Sequence, residues 1–131
     1  MQACNITMTT STDEEEITFS RLGEMELSLG KVVLRYREEN AWVLLILENG
    51  QAIIDRQGDY ALYLVLKEGE STKGLLGIGG NQGELETITH KVAYSLRKDS
   101  LLLSLQYDLH ISGEIQKMKL RLLARRKGER R

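Results

Sequence analysis

Residues 101–112, LLLSLQYDLHIS, decide the fold. The odd positions Leu101, Leu103, Leu105, Tyr107, Leu109 and Ile111 are large and mostly apolar, whereas Ser104, Gln106, Asp108, His110 and Ser112 are polar. Successive side chains of a strand point to opposite faces, so alternation this long predicts a strand with one buried and one wet face. Upstream, LETITHKVAYSLR (residues 85–97) returns through a short loop at Lys98 and Asp99. Folding symmetrically about that loop sets Leu96 opposite Leu101, Tyr94 opposite Leu103, Val92 opposite Leu105, His90 opposite Tyr107 and Ile88 opposite Leu109. Downstream, a turn at Ser112 and Gly113 sets Met118 by Tyr107, Leu120 by Leu105 and Leu122 by Leu103. The other face then brings Asp108 to Lys117 and Gln106 to Lys119. A slip of one residue would turn an apolar set toward water, so the agreement of the two hairpins predicts a three-stranded antiparallel meander.

The rest of the chain extends the same logic. Cys4, Ile6 and Met8 alternate with Asn5, Thr7 and Thr9 in a threonine-rich first strand. Ser11 to Glu14 has the form of a helix capping box. The β-branched and aromatic residues that follow, Ile17 to Ser20, make it instead a charged loop entering a second strand, Ile17 to Leu29. Gly23 inside that strand predicts a bulge or bend, which a closing sheet requires. Lys31 to Arg37 is a third strand, with Val32, Leu34 and Tyr36 on one side. Asn49 and Gly50 form the strongest hairpin signal in the chain and pair Ile46 with Ile53, Leu45 with Ile54, Leu44 with Asp55 and Val43 with Arg56. Both faces of this hairpin are apolar near the turn, so periodicity leaves its inner face open. Tyr60 to Leu66 and a glycine-rich segment through Leu75, Leu76 and Ile78 complete a set of about ten short strands without a helix to cover an open sheet, which favours closure.

Composition bounds what such a barrel could do. At 131 residues it is one domain, and a net charge of −1 gives no global field toward nucleic acid or membrane. The charge is unevenly spread: residues 1–116 carry 10 basic and 18 acidic side chains, residues 117–131 carry 8 basic and one acidic. We therefore expect a barrel domain over 1–124 and a basic C-terminal tail over 125–131. One cysteine, Cys4, makes no internal disulfide, and no zinc-type spacing occurs. The first residues lack a basic stretch followed by an apolar run, and no segment approaches the ~18 apolar residues of a membrane span, so a cytoplasmic protein without membrane association is expected. No feature sets an oligomeric state.

Four stretches also carry a family resemblance. KVVLRYREE (Lys31 to Glu39), AIIDRQGD (Ala52 to Asp59), GELE (Gly83 to Glu86) and QYDLHI (Gln106 to Ile111) resemble, in order and spacing, a bacterial family of uncharacterised small β-barrel proteins typified by YwiB of Bacillus. The glycine-rich stretch Gly74 to Gly80 and the basic end depart from that pattern. The resemblance implies an all-β, closed or nearly closed up-and-down barrel of calycin-like, that is lipocalin-like, form with about 8–10 strands. It implies no catalytic or binding residues.

Two constellations carry candidate chemistry. His90 and Tyr107 face each other on the inner side in the symmetric register, with Glu86 four residues back on the same face. A histidine, a phenol and a carboxylate converging in a barrel could hold a ligand's polar head or pass a proton. They would equally serve as a hydrogen-bonded core pair. If it points inward, Arg56 would anchor a carboxylate or phosphate; if outward, it is a snorkelling surface residue. His110 belongs to the wet face, opposite Thr87. The second constellation is basic: Lys117, Lys119 and Arg121 face outward on the last strand, with Arg125 and Arg126 beyond it. These could neutralise nucleic-acid phosphates, but no aromatics interleave with them, and lysines on a terminal strand commonly block edge association.

The glycine-rich segment leads into a strand and lacks the Gly-Lys-Ser/Thr of a phosphate loop, so it is expected at a barrel rim. No nucleophile sits beside a base and no metal set or cofactor motif exists, so the expectation is a non-enzymatic protein without cofactor. Its interior would take a small apolar or amphipathic molecule oriented by Tyr107, His90 and Arg56. The alternatives are a packed, ligand-free interaction or scaffolding module, since barrels of about eight strands are just wide enough for side chains to fill, and weak nucleic-acid binding through the basic end.

Overall fold

Apolar-polar alternation recurs along the chain, and only one to four residues separate successive alternating segments. Connections this short join antiparallel neighbours, and a sheet with an apolar face and no helix to cover it buries that face by closing. The computed structural model, described here for residues 1–127, has ten strands: β1 (Gln2–Ser11), β2 (Glu16–Ser28), β3 (Lys31–Glu38), β4 (Ala41–Glu48), β5 (Gln51–Gly58), β6 (Tyr60–Lys67), β7 (Ser71–Ile78), β8 (Asn81–Arg97), β9 (Ser100–Ile111) and β10 (Glu114–Arg126). Each pairs antiparallel with the next, and β10 returns to β1 to close an up-and-down barrel. Arg125 and Arg126, expected beyond the last strand, are its final residues and pair with Asn5 and Cys4. Arg130 and Arg131 of the expected tail lie outside the described residues.

Several registers match the expected ones residue for residue. Tyr107, Leu105 and Leu103 face Met118, Leu120 and Leu122, and Asp108 faces Lys117. Val43 faces Arg56 across the β4–β5 hairpin. Its Asn49–Gly50 turn has positive φ at both central residues, 53° and 75°, the geometry that a tight hairpin needs. At Ser11 to Glu15 there is no helix: the Thr12 hydroxyl accepts from the Glu14 and Glu15 amides, each at 3.3 Å, and caps a turn.

The β8–β9 hairpin departs from the symmetric register. Leu96, Tyr94 and Val92 face Leu101, Leu103 and Leu105 as expected, but a β-bulge between Thr89 and Lys91 inserts His90 as an extra residue. Two residues then oppose one, and every position before the bulge changes face. Thr89, not His90, stands opposite Tyr107; Thr87, not Ile88, stands opposite Leu109.

The core is sealed toward one end, the base, where the Leu29–Gly30, Asn49–Gly50, Glu68–Glu70 and Lys98–Asp99 turns lie. Cys4, Met25, Val32, Leu47, Ala52, Leu66, Leu101 and Ala124 are fully or almost fully buried there. Beyond its bulge, β8 reaches over this end: the Tyr94 hydroxyl accepts from the Gly50 amide at 3.2 Å, across strands separated in the barrel by β6 and β7. The opposite end, the mouth, carries the Thr12–Glu15, Glu39–Asn40, Asp59, Gly79–Gly80 and Ser112–Gly113 turns. Its inward residues Phe19, Ile54, Leu62, Leu76 and Ile111 are only partly buried.

Candidate functional site

The barrel wall is incomplete at the mouth. β2 and β3 pair only from Gly23 to Ser28 against Tyr36 to Lys31, while Glu16 to Leu22 pair with β1 alone. The parting begins at Gly23, where a Cβ would lie 2.5 Å from Ile6 Cδ1 and 2.7 Å from the Arg35 carbonyl. The bend expected from this glycine is therefore also a point of close packing, and beyond it the strand swings free of β3.

A cavity of about 300 Å³ occupies this seam. Its floor is apolar, from Met8, Val43, Leu45, Ile54 and Leu120; Thr10, Ile17, Phe19, Tyr36, Glu38 and Tyr107 line the remainder. Tyr107 is 5% exposed and lines this cavity. Burial, with Tyr60 nearby, pushes its pKa up to about 12, so the phenol stays protonated and able to donate. Burial also raises the pKa of Tyr36, whose hydroxyl donates to the Met8 sulfur 3.7 Å away. Beside Tyr107 in the wall, Thr87 and Thr89 are 0% and 1% exposed, and their hydroxyls have no partner among the described residues.

Arg56 points inward and is 9% exposed. It is already engaged: Nε donates to Glu38 at 3.0 Å, and one terminal nitrogen reaches Asp59 at 2.8 Å and the Tyr60 carbonyl at 2.7 Å. The guanidinium also lies 3.6 Å from the centre of the Tyr60 ring. Burial opposes its charge, but the bonds to Glu38 and Asp59 outweigh that cost and raise its pKa. Arg56 correspondingly holds the Asp59 carboxyl below its usual range. Of the two orientations the sequence left open the inward one holds, but the guanidinium is not a free anion anchor: it braces the mouth by linking β5 to Glu38 and to the Asp59 turn.

The other inner-face expectations change with the bulge. His90 points outward, 53% exposed at its side chain, with Nε2 2.9 Å from Asp108 Oδ2. Glu86 also faces out, opposite His110, and accepts from the Ser71 hydroxyl at 2.7 Å. The proposed His90–Tyr107–Glu86 cluster therefore does not exist; Tyr107 alone of the three is inside. Tyr36 and Glu38, which the sequence reading did not select, stand in its place. Their signal was parity, since Val32, Leu34, Tyr36 and Glu38 share one face and the last two put polar groups on it.

Outside, Lys117, Lys119 and Arg121 of β10 and Lys91 of β8 line a groove of about 740 Å³ with Thr9, Ser11, Ser104 and Gln106. Among the described residues none of these four cations forms an ion pair. Asp13 and Glu16 close one end of the groove and halve its net charge. Arg125 and Arg126 lie further toward the base and do not line it. Residues Gly74 to Gly83 form the later part of β7, the Gly79–Gly80 turn at the mouth and the start of β8, with no helix to make a phosphate site. No helix among the described residues is long and apolar enough to cross a membrane, and no cluster of His, Cys, Asp and Glu among them is placed to hold a metal.

Residues 2–122 match a family described as a domain of unknown function, DUF1934. The chain belongs to this family. The crystal structure of the YwiB protein from Bacillus subtilis is similar to 96% of this chain and 91% of that one, with a TM-score of 0.80 at 20% identity. At that identity the likeness concerns the fold, and it supports the closed barrel. No curated protein matches. The family's description states no activity, so function has to be argued from the seam and the outer groove.

Proposed function

We propose that this member of the family is a binding protein, without enzymatic activity, that takes a small, partly apolar molecule into the β2–β3 seam at the barrel mouth. The observation that carries the reading is Tyr107: a nearly buried phenol on the wall of a largely apolar cavity. Its phenol stays protonated, so it can donate to an acceptor atom of a ligand in that cavity. The volume, about 300 Å³, is at the small end of ligand pockets, which run from roughly 300 to 1,000 Å³. Cys4, a free thiol sealed in the base, accords with a reducing, cytoplasmic setting. The test is displacement of an apolar fluorescent probe from wild type and from Val43→Trp, which fills the cavity floor. Probe binding that survives the indole unchanged would place it elsewhere and sink the proposal.

The outer groove supports a second reading, a weak polyanion site. Lys91, Lys117, Lys119 and Arg121 converge there from two strands without ion-pair partners among the described residues. Neutralising three of them in Lys91→Ser, Lys117→Ser and Lys119→Ser should abolish any salt-dependent affinity for an oligonucleotide. Affinity that persists in the triple variant would remove the groove from consideration.

A further inference from the structure

The seam's chemistry bears on which small molecules it accepts. The five turns at the mouth contribute Asp13, Glu14, Glu15, Glu39 and Asp59 and no basic residue. Glu16, Glu38 and Glu114 add three more carboxylates at the strand ends. Arg56 adds little positive potential, because Glu38 and Asp59 bracket it and the three together carry one net negative charge. Arg21, on the inner row opposite Ile6, stands over the Phe19 ring at 4.8 Å. A mouth with this excess of carboxylates raises the local concentration of cations and repels anions.

Inside the seam the same preference recurs at close range. Glu38 gives Oε1 to Arg56, while Oε2 makes no hydrogen bond among the described residues. Phe19, Tyr36 and Tyr107 place three aromatic rings around the cavity. Ring faces attract cations, and the stacking of Arg21 on Phe19 and of Arg56 on Tyr60 realises that attraction twice at this end. An anion would have to sit against Glu38 and compete with it for Arg56. An ammonium would meet the free Glu38 oxygen beside the Tyr36 and Tyr107 rings, with its substituent on Val43, Leu45, Ile54 and Leu120.

Resting on the binding role proposed above, we infer that the seam selects organic cations: small amines carried as ammonium ions, with a short apolar body. The Tyr107 hydroxyl, on a cavity wall that also carries Glu38, supplies a polar contact for a heteroatom on that body.

The test compares three probes of equal length, hexylammonium, hexanol and hexanoate, by calorimetry on the full chain. Hexylammonium should bind at least about tenfold more tightly than either of the others, a difference of about 1.4 kcal/mol. Glu38→Gln should erase that preference. Because Glu38 also braces Arg56, Thr10→Lys provides a second variant: it puts a cation on the cavity wall, leaves the brace intact and should abolish hexylammonium binding. Equal or tighter binding of hexanol or hexanoate overturns the cation inference while leaving the binding role standing. Hexylammonium binding that survives both Thr10→Lys and Ile54→Trp overturns it as well, since the ion would then be held by the acidic rim alone. Absence of binding by all three probes overturns the binding role itself.

Discussion

The two ends of this barrel are built from the same ten strands and differ in almost every physical respect. At the base, small residues such as Cys4, Ala52 and Ala124 alternate with Leu47, Leu66 and Leu101, and all of them are sealed. At the mouth, aromatic and charged side chains stand on the inner face, the wall parts between β2 and β3, and a cavity remains. The contrast teaches that close packing and open space are separated along one axis of the barrel: the sealed core lies at one end and the cavity at the other.

Mutational energetics should reproduce that contrast. Leu66→Ala and Leu101→Ala remove fully buried side chains at the base and should each cost about 2–5 kcal/mol, read from the urea midpoint. Ile54→Ala, facing the cavity and only partly buried, should cost no more than about 1–2 kcal/mol. Equal losses at the two ends would erase the distinction.

Arg56→Met probes the brace at the mouth. Its loss should cost about 1–2 kcal/mol near neutral pH, less than a fully buried pair because Glu38 and Asp59 are partly solvated. The sign with pH follows from Asp59, whose folded-state pKa is depressed below 3.8 by Arg56. A depressed carboxyl stabilises the fold above its unfolded value and stops doing so as pH falls through the folded one. The gap between wild type and variant should therefore narrow as pH drops below 3.8. A gap that is constant through that range would mean the brace carries no charge-dependent stability.

A smaller effect, of opposite sign, is expected at Thr89. Thr89→Val swaps an unpartnered buried hydroxyl for a methyl of similar shape, so stability should be unchanged or higher by up to about 1 kcal/mol. A clear loss would reveal a bound water or ligand at that hydroxyl. The smallest change belongs to His90→Ala, an exposed position that should stay within about 0.5 kcal/mol. A cost above about 2 kcal/mol would require this histidine to be interior after all.

That last case marks where reading the chain succeeds and fails. Leu103, Leu105 and Tyr107 find their β10 partners by alternation alone, because no residue interrupts either strand. The β8 segment has an inserted residue, and its local pattern hides it. Ile88 is apolar but faces out, while Thr87 and Thr89 are polar and face in, so the alternation runs on unbroken past His90. One clue was present: Leu85 is inward at an odd position and Val92 and Tyr94 at even ones, a change of parity that only an extra residue can produce. The displaced His90 and Glu86 cost the candidate site two of its four expected members.

From residue order alone follow the all-β class, the meander, the β4–β5 and β9–β10 registers and the division of charge along the chain, because each depends on near neighbours and on a two-residue repeat. Tertiary structure decided which way Arg56 turns, what neutralises it, where β2 parts from β3, and that Tyr36, Glu38 and Tyr107 share one cavity. These depend on strands brought together by closure, and strand-by-strand alternation carries no information about what lies across a lumen.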